Sequence, residues 1–320
     1  MFTNYKNLLF LFFKLFSFKE ICLINSPSQL LCLNELIFLN KNQNKILILI
    51  GYPSDTSLSQ IRSLILDLPL SNKTIFLIDL MNEQQFSTFL KFFKFFLVFK
   101  KSIIGDFNYY LSKGIYKYTK ETIFLDEGIN VLNIDNKDIK KKFSFFSIFE
   151  NISKKTYKKN NYDFLKNIIS SKKIKNDNVY LLGTSDASPK INVLSEKLYF
   201  NLIKNFCYKF KEKNIYFIPH RNEPAYKIEE LKISNLNIKK INKPIEYVLA
   251  KSDYLPNSVF GFYTMGLVNL KILFDKSGVN VVNINYNLNT LDDKNLCELY
   301  KKYQKLFNQL GIEEINLNNS

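Results

Sequence analysis

The sequence predicts an α/β chain built as two successive lobes, each with a parallel sheet covered by helices. Three observations carry that expectation. Short apolar runs alternate with segments of three- and four-residue apolar spacing along the 320 residues. The runs are apolar at successive positions rather than at every second one, as strands covered on both faces must be. A stretch rich in Lys and Asn, 151–177, interrupts the alternation, which then resumes.

Residues 1–20 form an apolar N-terminal segment. Its run from Leu8 to Phe18 is broken by Lys14 and is too short to span a bilayer. A helix packed on the protein, or lying in a membrane interface, suits it. No small-residue cleavage site follows, so a signal peptide is not expected. The first lobe is assigned to 21–150, with strands at "ICLIN" (21–25), "KILILI" (45–50), "TIFLIDL" (74–80) and "ETIFLDEG" (121–128). Phe86, Phe89, Leu90, Phe93, Phe96 and Leu97 recur at helical spacing, opposite a polar stripe of Ser87, Lys91 and Lys94. "KDIKKKFSFFSIF" (137–149) sets lysines beside phenylalanines, which suits an anionic lipid surface or a charged lead into a core helix. Residues 151–177 read as a connector with one helix. The second lobe is assigned to 178–320. Its strands are "NVYLLG" (178–183), "NIYFIP" (214–219), "NLNIKKI" (235–241), "SVFGFY" (258–263) and "VNVVNIN" (279–285), and its last helix runs from about Thr290 to Leu310. Two such lobes read as Rossmann-like.

Composition excludes a disordered tail, since 46% hydrophobic and 23% charged residues are those of a chain that buries a core. The net charge of +16 is almost all scattered lysine, with arginine only at Arg62 and Arg221. A dedicated phosphate-reading surface would use arginine, so nucleic acid is not the expected partner. The charge still favours anionic partners and membrane surfaces. Cys22, Cys32, Cys207 and Cys297 show no CxxC spacing, and with a single histidine they make no ordinary zinc site. Buried reduced thiols are expected.

In open parallel sheets ligands gather beyond the carboxyl ends of the strands, which singles out four places. Asp126, Glu127 and Gly128 follow "TIFL", two carboxylates and a glycine suited to acid–base work or to capping a helix. Pro219, His220 and Arg221 follow "IYFI" and precede a helix start. The only histidine and one of the two arginines meet there, a cationic pair suited to a phosphate. Gly183, Thr184 and Ser185 follow "YLL" as a nucleotide-facing loop. Tyr263 and Thr264 lead into "MGLVNLKILF", where a hydroxyl at a helix N-terminus makes either an anion pocket or an ordinary cap.

"INSPSQLLCLNEL", "FLDEG", "YFIPHRNE" and "FGFYTMGLVNLKIL", in that order, resemble glycosyltransferase family 52, the bacterial lipooligosaccharide sialyltransferases. The resemblance runs from about Ile21 to about Tyr286. Two positions depart from the pattern: Arg221 stands where proline is expected, and Met265 where a second hydroxyl is expected. The resemblance implies a GT-B fold, two Rossmann-like lobes whose parallel sheets face a central cleft. It implies inverting, metal-independent transfer of sialic acid from CMP-sialic acid to a terminal sugar of lipooligosaccharide or a similar surface glycan. Asp126 would be the general base, supported by Glu127 and Gly128, with Asp186 as an alternative acid. His220 would donate to the leaving phosphate, and Gly183, Thr184, Ser185, Pro219, Arg221, Tyr263 and Thr264 would surround the nucleotide. No cofactor beyond the donor is implied. The partners would be that nucleotide sugar and a glycan or glycolipid, met by a cytoplasmic protein peripheral to the inner membrane, as monomer or homodimer. Two other readings stand beside this one: a same-fold transferase using another nucleotide sugar, for example in glucosyl transfer, and a non-catalytic anion- or nucleic-acid-binding protein.

Overall fold

The computed structural model describes residues 18, 20–41, 46–52, 55–70, 73–79, 100–106, 110–117, 119–126, 143–149, 156–184, 194–220, 223–286 and 294–317. The chain divides into two units, residues 1–164 with 242–244, and residues 165–241 with 245–320.

In the first unit the described strands are β1 (Glu20–Ile24), β2 (Ile46–Tyr52), β3 (Thr74–Asp79), β4 (Lys101–Ile104), β5 (Glu121–Leu125), β6 (Phe143–Ser147) and β7 (Thr156–Lys159). They lie in the order β3-β2-β1-β4-β5-β6-β7, every pair parallel. The chain winds outward from β1 one way and then crosses back to wind the other way, the Rossmann pattern. The central strands are apolar on both faces because both faces are covered: Ile21 to Ile24 and Leu47 to Ile50 are buried. Helix α1 (Pro27–Asn40) follows β1. It starts where the Ser26 hydroxyl accepts from Gln29 N and Pro27 opens the first turn, and it stops at Lys41, whose φ of 47° is left-handed. Helices α2 (Asp55–Asp67) and α3 (Tyr110–Tyr116) follow β2 and β4. Lys243, in the short segment that returns to this unit, lies 2.5 Å from the Asp67 carboxylate.

Three segments differ from the sequence expectation. "FSFFS" is neither a lipid-facing patch nor a helix but strand β6, with Phe143, Phe145 and Phe146 in the core. Phe143 meets the edges of Phe124 and Tyr116 at ring-centroid distances of 5.2 and 5.1 Å. The phenylalanines are aromatic packing between strands, so they offer nothing to lipid. The segment 151–177 is richer in regular structure than its composition suggests, holding β7, helix α4 (Asp163–Ile169) and the start of the next strand. Among the described residues β7 pairs only with β6, and its exposed Lys158 and Lys159 are what an edge strand carries. β4 is four residues long and hides a polar interior: the Ser102 hydroxyl bonds those of Thr119 and Thr122 at 3.0 and 2.9 Å. The helical pattern at 86–97, the lysines of 137–142 and residues 1–17 lie outside the described residues.

In the second unit the described strands are β8 (Ile174–Leu182), β9 (Asn214–Ile218), β10 (Leu236–Ile238), β11 (Leu255–Gly261), β12 (Asn280–Asn285) and β13 (Glu313–Asn316). Their order is β10-β9-β8-β11-β12-β13, again all parallel and again wound both ways from the first strand. Helices α5 (Glu196–Lys209), α6 (Ala225–Glu230), α7 (Ile245–Lys251), α8 (Met265–Leu273) and α9 (Lys294–Leu310) connect them. α5 begins where the Ser195 hydroxyl accepts from Leu198 N, and it buries Tyr199, Leu202, Ile203 and Phe206. Each of the five runs read as strands in this half is a strand; the charged edge strand β13 was not read. The fold is α/β, with two Rossmann-like lobes. Among the described residues no helix is long and apolar enough to cross a membrane.

Candidate functional site

A sheet wound both ways from its first strand opens a crevice where the winding reverses, at β8/β11 in the second unit and β1/β4 in the first.

In the second unit β8 runs into Gly183 and Thr184, both buried, and Gly183 N donates to Ile218 O at 2.8 Å. β9 runs into Pro219 and His220, both half-buried. His220 sits in a turn closed twice. Glu223 N donates to His220 O at 2.8 Å, and the Glu223 carboxylate accepts from His220 N in return. The other carboxylate oxygen accepts from the Tyr199 hydroxyl of α5. A Cβ on Gly183 would fall on the Glu223 carboxylate and 2.6 Å from His220 N, so only glycine lets β8 end against this turn. Burial pushes the Glu223 carboxyl up to about 7, against the Tyr199 and His220 bonds and the Lys227 charge, which lower it. Lys227 in α6 is buried too, 3.3 Å from the Glu196 carboxylate of α5.

On the other side of β8, β11 runs through Phe262 and Tyr263 to Thr264, the N-cap of α8. The Thr264 hydroxyl accepts from Gly266 N at 3.3 Å, which leaves its own proton to donate elsewhere. A Cβ on Gly261 would lie 3.3 Å from both Leu182 and Thr264, so Thr264 stands close to the end of β8. Tyr263 departs from expectation. Its backbone is left-handed, with φ of 37°, and the ring turns into the core, 3% exposed. Its hydroxyl donates to Asn285 Oδ1 at 2.7 Å and its ring stacks on Phe307 of α9. Tyr263 therefore shapes the turn into α8 rather than lining a nucleotide pocket. Gly183, Thr184, Pro219, His220 and Thr264 are brought together at the carboxyl ends of β9, β8 and β11. Ser185, Asp186 and Arg221 lie outside the described residues.

In the first unit Asp126 follows β5. Its carboxylate accepts from the Ser147 hydroxyl, from Ile148 N at 2.7 Å and from the Asn160 side chain. Two of these donors lie at the end of β6 and the third just beyond β7, so the described partners of Asp126 come from strand ends. Burial pushes its carboxyl up to about 7, and the three hydrogen bonds pull against that rise. A carboxyl poised there can accept a proton near neutral pH. Glu127 and Gly128 lie outside the described residues. At the β1/β4 reversal Asn25 Nδ2 donates to Asp106 Oδ2 at 3.3 Å, and Asn25 N donates to Gln29 Oε1 at 2.8 Å.

Glu223 and Asp106 were not singled out by the sequence. Glu223 left a signal, an acid three residues after His220 just before a helix, the spacing of a reciprocal cap. Asp106 follows a strand too short to be read. Among the described residues no group of His, Cys, Asp and Glu could hold a metal ion. Cys22, Cys32 and Cys207 are buried free thiols.

Neither a family model nor a curated protein sequence matches the chain. Among solved structures it is similar to Acinetobacter baumannii MurG, at 11% identity and a TM-score of 0.47 over 94% of this chain and 87% of that one. It is also similar to E. coli heptosyltransferase WaaC with ADP, at 10% identity and a TM-score of 0.45 over 91% and 98%. A third is Methanocaldococcus jannaschii UDP-GlcNAc 2-epimerase in complex with UDP-GlcNAc and UDP, at 12% identity and a TM-score of 0.47 over 83% of each chain. At these identities the likeness is one of fold alone.

Proposed function

We propose that this chain is an inverting glycosyltransferase that moves sialic acid from CMP-sialic acid to a terminal sugar of a lipooligosaccharide or similar surface glycan. The observation that carries the reading is the place of the only histidine. His220 ends a strand beside the β8/β11 reversal, in a turn fixed by a buried acid and flanked by Gly183 and the N-cap of α8. A nucleotide phosphate suits that place, because an imidazole and the hydroxyl and amides that open α8 come from strand ends on either side of β8.

In the reaction the acceptor hydroxyl attacks the anomeric carbon and gives its proton to the Asp126 carboxylate. The bond from that carbon to the phosphate oxygen of CMP breaks, and its electron pair stays with the phosphate. Charge grows there as the sugar becomes oxocarbenium-like, and His220 stabilises it by donating a hydrogen bond or proton. Attack opposite the leaving group inverts the anomeric centre.

The test is CMP release from CMP-sialic acid with a lactose-terminated acceptor, for wild type, Asp126→Ala and His220→Ala. Each substitution is expected to lower the rate by about 10²- to 10⁴-fold. Turnover of a UDP-sugar instead would keep the transferase and discard the donor. No turnover of any nucleotide sugar, with tight salt-sensitive binding to DNA or RNA, would favour the charge over the site.

A further inference from the structure

We infer that Glu223 is the positioning residue of this site, holding the His220 backbone in place against β8 through Tyr199 and the space that Gly183 leaves. The inference rests on the reading that His220 meets the leaving phosphate. Its geometry does not. The backbone bond from Glu223 N to His220 O, at 2.8 Å, already closes the turn. The side chain adds a second closure onto His220 N and a tie to α5 through the Tyr199 hydroxyl. Glu196 and Lys227, 3.3 Å apart, tie α5 to α6 a second time, just beyond the turn. The His220 turn is therefore tied to α5 through Tyr199, and α5 in turn to α6 through the ion pair.

Stability alone does not call for this arrangement. A buried carboxylate is costly to desolvate, and an apolar side chain of similar size would fill the space more cheaply. What the carboxylate adds is direction. It accepts simultaneously from a rigid helix and from the backbone of the residue that acts. Tyr199 is fully buried in a 14-residue helix, so the far end of the tie does not move with the turn. Gly183 completes the device from the other side, since any side chain there would displace the carboxylate. Reaction rates respond steeply to such placement: a shift of about 1 Å costs about 100-fold.

The single histidine makes the test direct, because its ring Cε1–H resonance needs no assignment. The full chain is followed by proton NMR with and without CMP, as wild type, Glu223→Ala, Glu223→Gln and Tyr199→Phe. Transfer from CMP-sialic acid is measured alongside. CMP is expected to move the wild-type resonance. Glu223→Ala is expected to shift or broaden it, weaken its response to CMP, and lower kcat by about 10- to 100-fold with donor KM nearly unchanged. Glu223→Gln keeps the size and one acceptor oxygen for His220 N, and its amide can donate to the Tyr199 hydroxyl oxygen in place of the bond it loses, so it is expected to restore the resonance and most of kcat. Tyr199→Phe keeps the volume and removes one donor, so it carries the test where Glu223→Ala does not fold; a smaller kcat loss in the same direction is expected.

A histidine resonance and kcat that ignore both Glu223→Ala and Tyr199→Phe would overturn the inference. So would a Gln variant no better than Ala. The functional reading fails separately: if CMP leaves the wild-type resonance unmoved, the nucleotide site is elsewhere. A free resonance that still moves in Glu223→Ala and returns in Glu223→Gln would then uphold the positioning role alone.

Discussion

The Ser147 hydroxyl donates to the Asp126 carboxylate and so joins the ends of β6 and β5. With Ile148 N and Asn160 it favours the ionised acid, against the burial that raises its pKa to about 7. For a general base the ionised form is the active one. The rate kcat/KM should therefore climb as pH rises through about 7. Ser147→Ala removes one stabiliser of the charge and should move that limb upward by about one pH unit. Glu223 titrates in the same range, so the profile is repeated in Glu223→Gln, which should leave the limb in place. A limb that Ser147→Ala moves to lower pH would exclude Asp126 as the titrating base.

The same two acids set a trend in stability. Asp126 rises from 3.8 and Glu223 from 4.5, each to about 7 on folding. Between those limits the folded chain keeps protons that the unfolded chain has released. Their contribution is full below the unfolded values and is lost as pH rises through the folded ones. Chemical denaturation at pH 5, 6, 7 and 8 should show stability falling and then levelling above about 7. Asp126→Asn and Glu223→Gln should each flatten that fall, by a few kcal/mol for the pair. A slope unchanged in both variants would mean that neither acid is buried protonated.

How much of this was legible depends on where a strand lies. ICLI and ILILI sit in the middle of a sheet, covered on both faces, and an uninterrupted apolar run can hardly be anything else. TYKK and EEIN sit at edges of the described sheets, where charge is tolerated, so neither carries the apolar run that marks a strand. FSFFS misled because lysines precede it. Phenylalanines beside charge look alike whether they face lipid or the core, and only their burial decides. The strand-end rule placed His220, Thr264 and Asp126 correctly at strand ends, but it is blind to which way a side chain turns. Tyr263 and Thr264 are neighbours, yet a left-handed φ at Tyr263 sends its ring inward. Glu223 was hidden for another reason: its importance lies in Tyr199, 24 residues away in sequence.

Glycines at the site should differ sharply in what they tolerate. Gly183→Ala puts a methyl on the Glu223 carboxylate and against His220 N. Backbone cannot yield cheaply, so the variant should lose about 1–3 kcal/mol and much of its kcat. Gly266→Ala meets nothing closer than Leu182 at 3.5 Å, an ordinary contact, and lies in the first turn of α8. It should fold as well as wild type or slightly better, because alanine favours helix. Comparing the two by thermal melts and transfer rates isolates the approach of β8 to the His220 turn. Equal effects would mean that the turn yields.

Thr264 serves two roles that substitutions can separate. As N-cap it stabilises α8, and Thr264→Ala should lower stability by about 1 kcal/mol. As a neighbour of the donor phosphate it would bind charge. Thr264→Asp divides the roles, because aspartate caps a helix as well as threonine does but repels a phosphate. Its melting curve should match wild type within about 0.5 kcal/mol, since cap strength is nearly kept. Its donor KM should rise by about 10-fold or more, the effect of about 1.4 kcal/mol of like-charge repulsion. If the melt and the KM both stay at wild-type values, Thr264 is a cap and nothing else, and the phosphate lies nearer His220 and Gly183.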